Sequence, residues 1–279
     1  MKNKLNWDIQ KQNVFYRPSE EASLPIWELD QDKDVSRYVR SDNEEKLSIM
    51  SKSYTPFTNS EFMRMANDIA TLTNYELKGY QEWKGGKVVL AYLQSHDHAQ
   101  LQGHDIKEYI VLGNSHDGST SLFVGYAAQM IRCMNAFGTI SQNIKMYHTK
   151  SIHDKALFST TEFSNYINQR NTFSEQLDSF GGQKMSPHEV EKMCQRLIKW
   201  KHDEPNSTRK SNIMNDIMES MHKECGELGW TKFGAYQGMT HYTTHKMTRS
   251  AEQLNIVGAG FRRNADAFNY LKNYQELGI

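Results

Sequence analysis

The chain has 279 residues, and its 33 lysines and arginines balance 33 aspartates and glutamates to a formal net charge of zero. That length allows one large domain or two small ones with a genuine buried core. Zero net charge excludes a global electrostatic pull toward nucleic acid or an anionic membrane. Cys133, Cys194 and Cys225 are odd in number, far apart and without a Cys-x-x-Cys pair. They predict reduced thiols rather than a disulfide framework, a zinc site or a redox motif. The first twenty residues lack the apolar stretch of a signal peptide, and no run approaches the roughly 18 apolar residues of a membrane span. The expectation is a soluble cytoplasmic protein with no membrane partner.

The charge is unevenly spread. From Glu20 to Glu45 the chain is strongly acidic; Ala128 to Thr172 and Thr244 to Lys272 are mildly basic. Residues 1–54 hold neither a 3.6 nor a 2.0 hydrophobic period for long, so they predict an acidic, weakly structured leader. Thr58-Asn59-Ser60-Glu61 is a capping box, after which Phe62, Met65, Ile69 and Leu72 share one face of a helix ending near Asn74. The period then changes. Tyr75–Trp83 and Lys87–Gln94 flank Lys84-Gly85-Gly86 and predict a β-hairpin. His96 to His104 reads as a polar loop, and a second hairpin pairs Glu108–Gly113 with Thr120–Tyr126 around Asn114-Ser115-His116-Asp117-Gly118. Gln129–Met134 and Gln142–Thr149 are further strand candidates. The short connections fit antiparallel pairing. Ser186-Pro187-His188-Glu189 opens a helix carrying Val190, Met193, Cys194, Leu197 and Ile198 on one face. Another amphipathic helix runs through Ile213, Ile217, Met221 and Cys225 to Gly226. The fold class predicted is α+β, an antiparallel sheet of hairpins in the first half packed against a mostly helical C-terminal half. The domains predicted are 1–54, 55–150 and 151–279, the last two forming one unit.

Five histidines are followed by aspartate: His96, His104, His116, His153 and His202. With His98 they invite comparison with metallophosphohydrolases, in which imidazole and carboxylate hold a divalent ion that activates water. Adjacent strand residues point to opposite faces, however, and Asp117-Gly118 is an ordinary turn pair. No metal site is assigned; His96, His98, His104 and His116, with Asp117, are the candidates a metal-dependent nuclease would use. No catalytic residue is assigned either. There is no Gly-x-Ser-x-Gly elbow, Cys133 sits in an apolar strand-like context that predicts burial, and no phosphate-binding Gly-x-x-x-x-Gly-Lys-Ser/Thr loop is present. Gly258-Ala259-Gly260 predicts a turn between helices, and no cofactor is expected.

The basic segments interleave cations with aromatics, as single-strand binders do to track phosphates and stack bases. The nucleic-acid candidates are Arg132, Lys145, Tyr147, His148, Lys150, Phe158 and Arg170, with Arg262 and Arg263 near a predicted helix start. On a helix, Tyr242 and His245 share a face. They are expected to join His116 in one polar cluster.

Several ordered motifs carry a family resemblance: Tyr54 to Asn59, Gly85 to Val88, Ser115 to Ser119, Ile131 to Asn135, Tyr147 to Thr149 and Gly229 to His245. The chain resembles the phage- and plasmid-like proteins catalogued as domain of unknown function 932. It departs at Gln237-Gly238, where members usually carry asparagine-alanine, and at His241, where they carry an acid. The resemblance implies a mobile-element origin and a host-cytoplasmic location, but no activity. It singles out His116, Asp117, Gly118, Asn135, Thr240, Tyr242 and His245 as a family-motif polar cluster. The order of helix, antiparallel strands and long helices also looks like the general plan of Rad52-like annealing proteins, a likeness at fold level. Three expectations follow. The first is single-stranded DNA binding or annealing in replication or recombination, with a homo-oligomer. The second is an anti-defence protein that occupies a host partner with its acidic leader. The third is a metal-dependent nuclease or phosphohydrolase.

Overall fold

Three strands fill the segment expected to be weakly structured: β1 (Ile9–Tyr16), β2 (Asp30–Arg40) and β3 (Lys46–Ser51) form an antiparallel sheet in the order β1-β2-β3. Their alternation is hidden in the sequence because the register shifts at Asn13/Val14 and again at Tyr38/Val39. The first shift leaves three extra residues on β2 and the second one extra residue on β3, which interrupts the period of two; Tyr38, Val39 and Arg40 are buried in succession. The structure is a computed structural model that describes residues 4–16, 30–73, 75–155, 160–202, 205–247 and 258–274.

Two units divide the chain. The first comprises residues 1–96, 110–124 and 141–166, and the second 97–109, 125–140 and 167–279. The expected boundaries at 54/55 and 150/151 differ from this division, because the second unit draws on two short internal stretches as well as the helical half. A five-stranded sheet has the order β4-β5-β6-β7-β8, with β4 (Glu76–Trp83), β5 (Val88–Leu101), β6 (His104–Ser115), β7 (Leu122–Met130) and β8 (Ala136–Met146).

The first hairpin forms where expected. Trp83 pairs with Val88, and Gly85 and Gly86 take φ of 68° and 90°, which side chains rarely adopt. The predicted loop from His96 is instead strand as far as Leu101. Its polar side chains are mostly exposed, and the chain reverses at Gln102-Gly103, both with positive φ. The predicted strand Gln129–Met134 is also corrected. β7 stops at Met130, Ile131 to Cys133 turn, and Met134 reverses the chain with φ of 59°. The apolar look of Ile131 and Met134 misleads there, since Met134 is 45% exposed.

Helix α1 (Asn59–Thr73) starts at the Thr58 box, in which Thr58 N donates to Glu61 Oε2 and Glu61 N to Thr58 Oγ1. Phe62, Met65 and Ile69 are buried, whereas Leu72 lies exposed in the last turn. After a short turn, α2 (Ile152–Lys155), come α3 (Thr160–Phe180), α4 (Pro187–Leu197), α5 (Thr208–Leu228), α6 (Lys232–His241), a π-helical turn (Tyr242–Lys246) and α7 (Gly258–Asn273). The Ser186 capping box holds the start of α4. Helix α5 continues past Gly226 to a cap at Gly229, whose φ is 88°. Gly258 to Gly260 open α7 rather than joining two helices.

Helix α6 is buried at all of its positions, although its side chains are not uniformly apolar. Its small residues explain this. A methyl group at Gly238 would meet Met221 Cα of α5 at 2.9 Å, and one at Gly234 would meet the Gly229 carbonyl at 2.2 Å. Beside α6, Phe173, Phe180, Tyr236 and Phe268 form an aromatic core with ring centroids 4.7–5.9 Å apart.

Candidate functional site

The motif residues gather in two polar centres, one in each unit. In the first, the turn after β6 is held by a dense set of hydrogen bonds. Ser115 Oγ donates to Thr120 O and accepts from Thr120 N, Asp117 Oδ1 accepts from Ser119 N, and Gly118 reverses the chain at φ 68°. His116 is fully buried. Its backbone N donates to Lys87 O at 2.7 Å, its carbonyl accepts from Ser48 Oγ at 2.6 Å, and its ring stands edge-on to Trp7 at 5.5 Å. Its Nε2 donates to Asn59 Oδ1 at 2.9 Å, while Asn59 Nδ2 donates to Trp7 O. Asn59 is thus both the first residue of α1 and the clamp between N-terminal segment and turn.

Burial drives the His116 pKa down to about 4, and His148 adds to the effect. His148 lies against the Tyr54 ring with centroids 5.0 Å apart, and burial lowers its pKa as well. The backbone of Thr55 and Thr120 faces the His148 ring, while Asn114 Oδ1 and His116 Nδ1 are buried without a hydrogen bond. Neutral imidazoles tolerate this at a modest cost; charged ones would not.

The second centre is built from the β7–β8 turn, α5, α6 and the π-helical turn. Glu224 on α5 is fully buried beside the Asn135 side chain, and Arg132 Nη2 lies 3.7 Å from its carboxylate. Burial raises its pKa. Arg132 also pairs with Glu227. Asn135 Nδ2 reaches Gln237 O and Oε1, both at 3.4 Å, while Gln237 Nε2 is left without a partner. Thr240 Oγ1 donates to Gln237 O, and Thr244 Oγ1 accepts from Ala136 N. His245 is exposed, and its Nε2 donates to Cys133 O at 3.0 Å and Asn135 Oδ1 at 3.1 Å.

His241 continues the set. Lys223 Nζ donates to its Nε2 at 3.0 Å, its Nδ1 donates to Ser220 Oγ at 3.0 Å, and its ring lies 4.7 Å from that of His245. Burial and the neighbouring Lys223 hold its pKa near 4. Cations, imidazoles and a buried carboxylate are the groups that bind phosphate and move protons. The π-helical turn has a bearing here, because such turns recur at functional sites. Its wider winding also separates the two residues expected on one face. Tyr242 turns inward beneath the Arg263 guanidinium at 5.5 Å, while His245 reaches the β7–β8 turn.

The seven motif residues therefore divide. His116, Asp117 and Gly118 belong to the first unit; Asn135, Thr240, Tyr242 and His245 belong to the second. Among the described residues, the hydrogen-bond partners of His116 and those of His245 have no member in common. Cys133 is half-buried in the turn rather than within a strand.

The nucleic-acid candidates fare differently from one another. Arg132 and Arg170 face carboxylates, the latter Glu108 Oε2 at 3.6 Å. His148 is half-buried on Tyr54, Arg263 packs on Tyr242, and Phe158 lies outside the described residues. Tyr147 and Lys150 are exposed just past the end of β8, Lys145 is half-buried in it, and Arg262 is exposed on α7. His96 and His98 are exposed on β5, and His104 is half-exposed at the start of β6. Among the described residues no group of three or more His, Cys, Asp or Glu side chains is arranged to hold a metal ion. No helix is long and apolar enough to cross a membrane, again among those residues. Of the acids in the N-terminal stretch, Glu20, Glu21 and Glu28 lie outside the described residues.

Sequence reasoning missed Glu224, Lys223 and His241. The signal available was an acid at the buried spacing of α5, one residue before Cys225 and three after Met221.

The family described as Domain of unknown function (DUF932) matches residues 46–267. The chain belongs to that family. No curated protein and no solved structure matches it.

Proposed function

We propose that the protein binds single-stranded DNA and promotes annealing during the replication or recombination of a phage or plasmid in the cytoplasm of its host. The observation that supports this reading best is Tyr147. The residue is 72% exposed, the highest value among the exposed large hydrophobic residues of the described chain. It follows β8 directly, between Lys145 and Lys150. A solvent-facing ring beside cations is the pairing that single-strand binders use, a base stacking on the ring while phosphates meet the cations. Annealing further requires that copies of the chain assemble, so a concentration-dependent oligomer is expected.

The test is fluorescence anisotropy with a labelled single-stranded oligonucleotide at low salt. A stack contributes about 1–3 kcal/mol, so Tyr147→Ala is expected to weaken binding by roughly 5- to 150-fold. Tyr147→Phe keeps the stack and is expected to bind as the wild type. No binding by the wild type at low salt removes the reading.

A further inference from the structure

A groove between α4 and α7, wholly within the second unit, carries the chemistry of a nucleotide site. A pocket of about 480 Å³ and one of about 670 Å³ share Arg196 and Lys199 in their walls. Both volumes lie in the range of roughly 300–1,000 Å³ typical of small-molecule sites. Lys192 and Arg196 stand one turn apart on α4, so they share a face. The helix ends at the Ile198 cap, and Lys199 takes a left-handed φ of 53°. Trp200 N then donates back to Gln195 O at 2.8 Å, which sets Trp200 in the same wall as the cations.

Helix α7 supplies the opposite wall with Asp266 and Tyr270 one turn apart. Tyr270 stacks on Tyr274 with centroids 5.6 Å apart, and Tyr274 is fixed by its hydroxyl, which donates to Glu189 Oε1 at 2.6 Å. The aromatic wall is therefore held in place before any ligand arrives. Lys192, Arg196 and Lys199 are exposed and make no ion pair among the described residues. The Arg196 guanidinium lies over the Tyr270 ring, 5.8 Å from its centroid, and joins the cations to the aromatic wall. The partial negative charge at the end of α4 and the carboxylates of Asp266 and Glu189 offset part of the repulsion among the three cations. Asp203 and Glu204, which follow His202 in sequence, lie outside the described residues.

We infer that this groove binds a nucleotide, with phosphate on Lys192, Arg196 and Lys199 and the base against Trp200 or Tyr270. The chemistry is shared by a free mononucleotide and by one unit of a single strand. The strand source rests on the proposed function, but the groove and the Tyr147 surface use different residues and can fail separately.

The test measures two ligands on the full chain, a labelled single-stranded oligonucleotide by anisotropy and thymidine monophosphate by calorimetry. The variants are Arg196→Glu with Lys199→Glu, and separately Tyr270→Leu, with Tm recorded for each. The charge-reversed variant is expected to keep the wild-type Tm and to lose at least tenfold in oligonucleotide affinity. Tyr270→Leu, with its Tm checked, is expected to weaken whichever ligand uses the base wall. If the groove variants lose the oligonucleotide and Tyr147→Ala does not, the groove stands and the Tyr147 reading falls. If mononucleotide binding alone is lost, the groove stands with a free nucleotide as its ligand. The inference is overturned if a charge-reversed variant with wild-type Tm binds both ligands as tightly as the wild type, or if the wild type binds neither.

Discussion

His116 and His245 both come from the motifs that mark the family, yet their surroundings are opposite. His116 is fully buried, neutral, and joined through Asn59 to the backbone of Trp7. His245 is exposed and sits in a set whose deepest member, Glu224, is a fully buried carboxylate with Arg132 3.7 Å away. A buried neutral ring with one good partner is a fastening, because losing the partner strands a polar atom. A carboxylate buried deeply enough to raise its pKa costs folding free energy, and such groups persist where they serve binding or proton transfer. A motif histidine is therefore no guide to chemistry until its surroundings are known.

The largest expected effect tests the fastening. Asn59→Ala removes the partners of His116 Nε2 and Trp7 O together, and is expected to cost about 3 kcal/mol in urea unfolding. A loss below about 0.5 kcal/mol would show that the first centre does not hold its unit together. Acid should act in the same place. The unfolded chain protonates His116 below its ordinary value of 6.5, but the folded state resists until about 4. Stability therefore falls as pH drops from 6.5 to about 4, by about 3 kcal/mol from this residue, and His241 adds in the same direction. His116→Gln should flatten that pH dependence.

The second unit gives the smaller effects. Gly238→Ala forces α6 from Met221 and is expected to cost about 1–3 kcal/mol, read as a lower Tm. Glu224→Gln separates the two centres most sharply. Because burial raises the folded pKa, wild-type stability is lost as pH rises from the ordinary carboxylate value through the raised one. The variant lacks that loss, so its Tm relative to the wild type should be higher at pH 8 than at pH 4. A Tm lower than the wild type's at both would make Glu224 another fastening.

Much of the scaffold is legible in the residues. The Thr58 and Ser186 boxes and the Gly85-Gly86 turn are local signals, and each forms where its chemistry dictates. The leader strands are not legible, because two register shifts interrupt their alternation. Nor is the end of β5, whose polar residues mimic a loop while pairing as a strand. The divergence of Tyr242 and His245 depends on π-helical winding that three-residue spacing cannot reveal. The groove escapes any local window, since its cations at 192–199 and its aromatic wall near 270 meet only after folding.

Salt dependence of strand binding tests the central claim most directly. Anisotropy of the wild-type chain with single-stranded DNA, from low salt upward, should give an affinity falling linearly on logarithmic axes. Each phosphate neutralised contributes a slope of about 0.7. Lys150→Glu should reduce that slope by about that amount and leave Tm unchanged. A flat response to salt, or no binding at the lowest concentration, would contradict the account.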